Sequence, residues 1–479
     1  MNLTEDYIMK KHLKLYTAFL TSAFLMCSAI PLNTAEHFCP MLTAEAEDET
    51  ATSGKCGDSV SWTLDENGVL TISGKGDMYD YQEASSPFAA LQTVIKSVVI
   101  ADGVTSIGNN VFMFCEKMTA VTIPDSLKSI GSGAFNDCRS LTAVTIPNSV
   151  TSIGARAFGY CYNLTSVTIP NGVPCIENRV FEGCFGLTSV TIPDSVTGIE
   201  DSAFSGCSNL TEITIPDSVK SIGKYAFDGC RSLTSISIPN GAETIGYMTF
   251  RNCKKLTSVT LPDSVKSIGD RAFWECDSLT EITIPDGVTS IGEYAFCSCD
   301  NLCTVNLPND ITSLGECVFG GCEKLNKINI PDSVTSIGSA AFSNCSSLTS
   351  LFIPKSVTKI DNDAFQFCNE ITLKGYSGSY AETYAKKKNI PFEAVGEDRL
   401  FGDLNGDGEV SAEDAQAALV AYVDIMAGME STLTAEQFKA ADVNGDNAIS
   451  VEDAQMILNY YVLNTVSDMP TVWAEVIGK

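Results

Sequence analysis

The pattern Phe-x-x-Cys returns every 23 residues, at Cys115, Cys138, Cys161, Cys184, Cys207, Cys230, Cys253, Cys276, Cys299, Cys322, Cys345 and Cys368. A unit this short cannot bury an apolar face alone, so its copies must stack into a solenoid. The copy from Leu210 to Cys230 shows how. Leu210, Ile213 and Ile215 face inward as a strand, and Pro216 ends it because proline has no ladder donor. Asp217-Ser218 turns the chain, Val219 and Ile222 re-enter the core, Gly223 turns again, and Ala226-Phe227 begins a short helical corner. Twelve such coils at strand spacing predict a rod or arc of about 55–60 Å.

Stacking also decides what the cysteine column is. Neighbouring coils would bring its Cα atoms about 5 Å apart, within disulfide range. Parallel side chains point the same way, however, and each sulfur pairs once. The expectation is a buried thiol ladder that fills core volume. Cys297, Cys303 and Cys317 match no zinc spacing and read as decoration.

The chain has 479 residues and a formal net charge of -29, which argues against nucleic acid and anionic membrane surfaces as partners. Lys10, Lys11 and Lys14 precede an apolar run from Leu15 to Ile30, the pattern of an export signal, so no membrane insertion is expected once it is removed. Cleavage after Ala35 or Ala46 would fit; Met26 is too large for a lipoprotein box at Cys27. Both histidines, His12 and His37, lie in or beside this leader. Cleavage after Ala46 would leave a protein without Ser-His-Asp or Cys-His catalysis and without His-ligated metal. Carboxylate-pair glycosidases need no histidine, but Asp201 and Asp270 lie on separate coils. No catalytic residue is assigned, and the chain reads as a non-enzyme.

The outward strand positions are mostly Thr and Ser, with Phe352 their only aromatic, a composition that first serves β-propensity and solubility. A second column, two residues before the repeat Phe, varies more. It presents Tyr225, Met248, Arg271 and Tyr294 on consecutive coils, with Tyr247 and Trp274 beside them. These residue types are enriched at binding hot spots, so this stripe is the expected partner surface.

The C-terminal segment differs in kind. From Glu397 to Lys479 there are 16 Asp+Glu against 3 Lys+Arg, a net of -13. Asp403, Asn405, Asp407, Ser411 and Asp414 place oxygens at loop positions 1, 3, 5, 9 and 12, and Glu409 would add its carbonyl at position 7. Asp442, Asn444, Asp446, Ala448, Ser450 and Asp453 repeat the arrangement, with Asn447 at the turn where the first loop has Gly408. Calcium takes six to eight hard oxygens around a tight turn, so two calcium ions are expected. Trp473 could clamp the module's ends or lie in a free tail.

Two family resemblances follow from these motifs. Leu-x-x-Ile-x-Ile-Pro, Ser-Ile-Gly and Ala-Phe-x-x-Cys make the segment from about Val98 to Phe392 resemble the BspA-like leucine-rich repeats. The stretch Cys56 to Gly74 looks like that family's β-hairpin cap, and Asn67-Gly68 is a hairpin turn signal in its own right. Gly375 to Phe392 looks like its terminal helix cap. The resemblance implies surface adhesion and protein binding.

The Asp at position 12 and the poor helix before the first loop make the segment from about Phe401 to Val466 resemble a type I-like dockerin. That family implies docking onto a cohesin module of a scaffold protein, in cellulosome-type complexes. Its specificity positions fall on Ala412, Glu413, Leu419 and Val420, and on Val451, Glu452, Leu458 and Asn459.

The expected organisation is therefore a leader at 1–46, a β cap at 47–97, the capped β-rich solenoid at 98–393, a linker at 394–401, an all-α calcium module at 402–466 and a tail at 467–479. The expected function is that of a secreted, extracellular, non-catalytic accessory protein on a cell-surface scaffold. The alternatives are a carbohydrate-active enzyme subunit and a plant-cell-wall-binding adhesin of the same complex.

Overall fold

The computed structural model describes residues 52–395, 401–405, 409–429, 433–446, 448–466 and 476. The expected leader with its cleavage sites, linker residues 396–400, Asp407, Gly408, Asn447, Trp473 and nearly all of the tail lie outside the described residues.

Each coil lays down three strips that pair with the same strips of the next coil. The first is a short strand such as Ser166–Thr168, which pairs in parallel with Ser189–Thr191, Val167 opposite Val190. The central Val is buried and its neighbours are exposed, as a half-buried strand requires. The second is the Ser-Ile pair, as in Ser267–Ile268 against Ser290–Ile291.

The third strip corrects an expectation. The Ala-Phe corner is not helical, because left-handed residues bracket it: φ is +58° at Tyr225 and +71° at Gly229. Its alternate amides instead reach the next coil, Tyr225 to Tyr247, Phe227 to Thr249 and Gly229 to Arg251. Non-glycine residues tolerate this region at a cost of about 1–2 kcal/mol, so the bonds between coils must outweigh it.

Inside, phenylalanine rings form one continuous stack. Thirteen rings, from Phe88 to Phe365, follow one another at centroid separations of 5.3–5.8 Å. The solenoid thus has about thirteen coils rather than twelve. In the first, Leu91 replaces the cysteine and the step to the next Phe is one residue longer. The column cysteines are buried, and eleven of them, Cys138 to Cys368, donate S–H to the Phe carbonyl of the preceding coil at 2.9–3.3 Å. Outside, the Thr column does similar work. Thr165 donates to Thr142 O and Thr188 to Thr165 O, at 3.2 and 3.0 Å.

Both ends of the stack are closed. Strands β1 (Ser53–Lys55), β2 (Val60–Leu64) and β3 (Val69–Gly74) pair antiparallel, and β3 then pairs in parallel with Ser97–Ile100. Trp62 of β2 meets Phe88 edge-on at 5.4 Å. At the far end helix α1 (Tyr380–Lys388), N-capped by Ser379 and closed by left-handed Asn389, sets Tyr384 edge-on against Phe365 at 6.0 Å.

The C-terminal segment forms helices α2 (Ala412–Met426), α3 (Ala435–Ala441) and α4 (Val451–Val466). Its core is made of small residues, Ala415, Ala418, Ala421 and Ala454, with Leu404, Val443, Ile449 and Ile457. Among the described residues no helix is long and apolar enough to cross a membrane.

Two outcomes follow. Phe227→Ala opens a hole in the middle of the stack and lowers unfolding free energy by about 3–5 kcal/mol, measured by urea denaturation. Burial also raises column thiols away from the C-terminal end of the stack, Cys115 and Cys184 to about 12, whereas contact with Cys345 lowers Cys368. An unfolded thiol ionises near pH 8.5, so the unfolded chain sheds protons first and stability falls as pH rises from there toward about 12. A flat pH profile for the unfolding midpoint over that range would contradict the ladder.

Candidate functional site

The loops are organised by their own acidic side chains. Asp414, at position 12, is buried; its Oδ1 accepts the amides of Leu404 and Asn405 at 2.8 and 3.1 Å. Its Oδ2 accepts from the amide and the hydroxyl of Ser411, at 2.8 and 2.9 Å. Asp453 repeats this with Val443, Asn444 and Ser450. In the second loop Gly445 N donates to Asp442, Asp446 N to Asn444, and Ala448 N to Asp446, all at 2.8–2.9 Å. Among the described residues no three acidic side chains already form a metal cluster. Asp407 is outside them, and the position-12 carboxylates are turned to the loop amides.

The donor set still suits calcium. Asp403 and Asp442 are 5% and 3% exposed, and Asp414 and Asp453 are fully buried. Four carboxylates withdrawn from water in one small module call for compensating positive charge. Asn405, Asn444, Ser411 and Ser450 add neutral oxygens, and Glu409 and Ala448 add carbonyls.

Behind the loops, all eight expected partner-contact positions are exposed: Ala412, Glu413, Leu419 and Val420 on α2, and Val451, Glu452, Leu458 and Asn459 on α4. Val423 and Val462, 55% and 45% exposed, extend the same faces and were missed by the sequence reading. Their signal was present: 412, 419, 423 and 451, 458, 462 keep the helical spacing of one face. Each helix thus carries an apolar stripe in matched positions.

On the solenoid the expected stripe is a packed cluster. Tyr225 and Tyr247 meet edge-to-face at 5.3 Å. The Arg271 guanidinium lies 4.6 Å from the Tyr294 ring and 5.8 Å from that of Trp274, while Tyr294 OH donates to Glu316. That bond, with burial, pushes the Tyr294 hydroxyl up to about 12. Met248 is a correction: it is 7% exposed and offers no surface. Its unbranched apolar chain folds inward, where Tyr and Arg keep polar ends at the water boundary. Arg251, not anticipated, sits among these residues, forked onto Asp228 at 2.7 and 2.9 Å. A second unanticipated patch stacks Tyr162 on the exposed Phe185 at 4.9 Å, with Arg139 over Tyr162 at 5.5 Å. Its signal was the residue after the column cysteine.

Comparison with known proteins matches the BspA type leucine rich repeat region, in six copies, across residues 86–211, 175–303 and 266–378, and the dockerin type I domain at residues 401–461. The chain is 30% identical to a leucine rich cell surface protein from Faecalibacterium prausnitzii, over 73% of this chain and 100% of that one, with a TM-score of 0.42. A leucine-rich repeat protein from Bacteroides ovatus is 26% identical over 67% and 99% of the two chains, with a TM-score of 0.47. No curated protein matches. The chain belongs to the BspA-type leucine-rich repeat family and carries a type I dockerin domain, both non-catalytic modules. Type I dockerins bind calcium and imply a cohesin-type protein partner.

The loop bracing is testable without any partner. Asp414→Ala strips acceptors from three amides of the first loop, those of Leu404, Asn405 and Ser411, at about 1–3 kcal/mol for each that is left buried and unpaired. Hydrogen exchange at Leu404 and Asn405, read by mass spectrometry in chelator, rises tenfold or more on the order of 1.4 kcal/mol lost. Exposed Glu413→Ala leaves it unchanged.

Proposed function

We propose that this BspA-type repeat protein is exported and docks, in a calcium-dependent way, onto a cohesin module of a cellulosome-type scaffold, while its solenoid stays free to hold a second protein or a surface. The observation that carries this reading is the pair of matched apolar stripes on α2 and α4, each directly behind a calcium-type loop. Asp403, Asn405, Asp407, Ser411 and Asp414, with the carbonyl of Glu409, would hold one ion. Asp442, Asn444, Asp446, Ser450 and Asp453, with the carbonyl of Ala448, would hold the other. Bound calcium supplies the positive charge that lets these acidic loops close and fixes the first turns of both helices. Ala412, Glu413, Leu419, Val420 and Val423, with Val451, Glu452, Leu458, Asn459 and Val462, then form the contact face. Ala412 against Val451 and Val420 against Asn459 make its two halves unequal, so two orientations related by a half turn would differ in strength.

The solenoid surface proposed for the second ligand is the cluster of Tyr225, Tyr247, Arg271, Trp274 and Tyr294. Rings held by neighbouring coils lose little freedom on binding, which favours protein recognition. One observation supports a second reading, adhesion to plant-cell-wall polysaccharide: the exposed Tyr162–Phe185 stack is a surface on which a sugar ring can lie.

The test is binding of the full chain to a panel of cohesins, with calcium and then with chelator. Tight binding is expected, lost on chelation and in the double variant Asp403→Ala/Asp442→Ala. Calcium uptake without binding to any cohesin would defeat the scaffold reading. Retention on insoluble polysaccharide, abolished by Phe185→Ala, would favour the adhesin.

A further inference from the structure

We propose that Cys297 and Cys317 are a disulfide-forming pair that staples two neighbouring coils beside the Arg271–Tyr294 cluster. Their Sγ atoms lie 3.3 Å apart, outside the cysteine column, with Cys317 half-buried and Cys297 buried beside it. Cys297 follows Phe296 in its coil; Cys317 precedes Phe319 by two in the next. These are the column positions that Trp274 and Arg271 occupy one and two coils earlier, so the pair extends the aromatic and basic cluster.

Three independent features make the juxtaposition specific. The backbones are already tied together, with Tyr294 N to Glu316 O at 2.8 Å, Phe296 N to Val318 O at 2.9 Å and Ser298 N to Gly320 O at 2.7 Å. A disulfide therefore needs no coil movement, only an approach of the sulfurs by about 1.2 Å, within side-chain rotation. Next, Gly320 makes room. A methyl group at that position would lie 2.3 Å from the Cys317 sulfur, so the thiol occupies the space that glycine leaves empty. Lastly, neither sulfur has the alternative that holds the others. Column thiols Cys138 to Cys368 donate to Phe carbonyls, and Cys303 donates to Asn301 O at 3.2 Å. Cys297 and Cys317 share a hydrogen between them, with Ser298 Oγ 3.8 Å from Cys297.

The local electrostatics suit thiol exchange. The hydrogen shared with Cys317 holds the Cys297 thiol below its ordinary value, with Ser298 and Arg271 assisting, whereas Cys317 is pushed up. With a low-molecular-weight disulfide as oxidant, the Cys297 thiolate attacks one of its sulfurs and releases one thiolate. Cys317 then gives up its proton and attacks Sγ of Cys297, expelling the second thiol. Two cysteines are oxidised, and the reagent takes up both electrons and both protons as two free thiols.

The experiment incubates the full chain under native conditions with oxidised glutathione, blocks free thiols by alkylation and cleaves after glutamate. Cleavage at Glu293, Glu316 and Glu323 separates peptides 294–316 and 317–323. The expected product joins them, two hydrogens lighter than their sum, with fragmentation locating the bond at Cys297 and Cys317 and the column cysteines unreacted. Reduction releases both peptides. Gly320→Ala, which crowds the Cys317 sulfur, slows the reaction at least tenfold, and Cys297→Ser abolishes the link. In the oxidised chain amide exchange across Tyr294–Ser298 slows, and in Cys297→Ser the same treatment leaves it unchanged. The proposal is overturned if native wild-type protein yields both peptides free, if the bond maps to Cys299, Cys303 or Cys322, or if Gly320→Ala oxidises at the wild-type rate.

Discussion

A coil of this protein is unfinished until the next one is laid on it. Its Phe corner sends alternate amides forward to the following coil, and the glycine after its Ser-Ile pair reaches back to the preceding one, as Gly223 N does to Ile199 O, so the backbone has nowhere else to place those donors. The phenylalanine stack runs through the same seam and adds apolar burial where the hydrogen bonds add register. Both terms are local in space and identical from coil to coil. Stability therefore accumulates along one axis, and only the ends need special chemistry: Trp62 at one and Tyr384 at the other, each presenting an edge to the last exposed ring face.

The left-handed residues on either side of the Phe corner connect this architecture to recognition. They occur two positions before the ring, at Arg156, Arg179, Tyr225, Arg271 and Tyr294, and two after it, at Asp137, Asn252, Glu275 and Asn344. The long, polar-ended Tyr and Arg side chains reach the surface from this turn, whereas Met248, at the same position with φ +54°, stays buried. None of these positions is β-branched, because branching at Cβ would add to the strain. The surface cluster is thus a by-product of the turn that closes each coil.

Much of this was readable in the sequence, because period and alternation are properties of the chain itself. The 23-residue spacing yields the solenoid, and oxygen spacing yields the two loops, since ligand order along a tight turn is a matter of sequence. What was missed depends on neighbours the sequence does not put side by side. The first coil escaped because Leu91 stands where the others have cysteine. The corner was read as helical because φ at Tyr225 or Arg271 leaves no mark on composition. Met248 was placed outside by its column, although burial is decided by what covers it. Asp414 and Asp453 were read only as ligands; their bonds to loop amides depend on a fold already closed. Cys297 and Cys317 stand 20 residues apart, and only the stacking of one coil on the next makes them touch.

The edge-on caps carry a consequence for how such a chain can change. Trp62 and Tyr384 recognise a phenylalanine face, and every coil offers one. Neither cap registers how many coils lie between them. A gene duplication or loss of one repeat would leave both closures intact and every new seam identical to the old. Molecular reach then becomes an adjustable dimension, set by copy number and inherited without any redesign of the core.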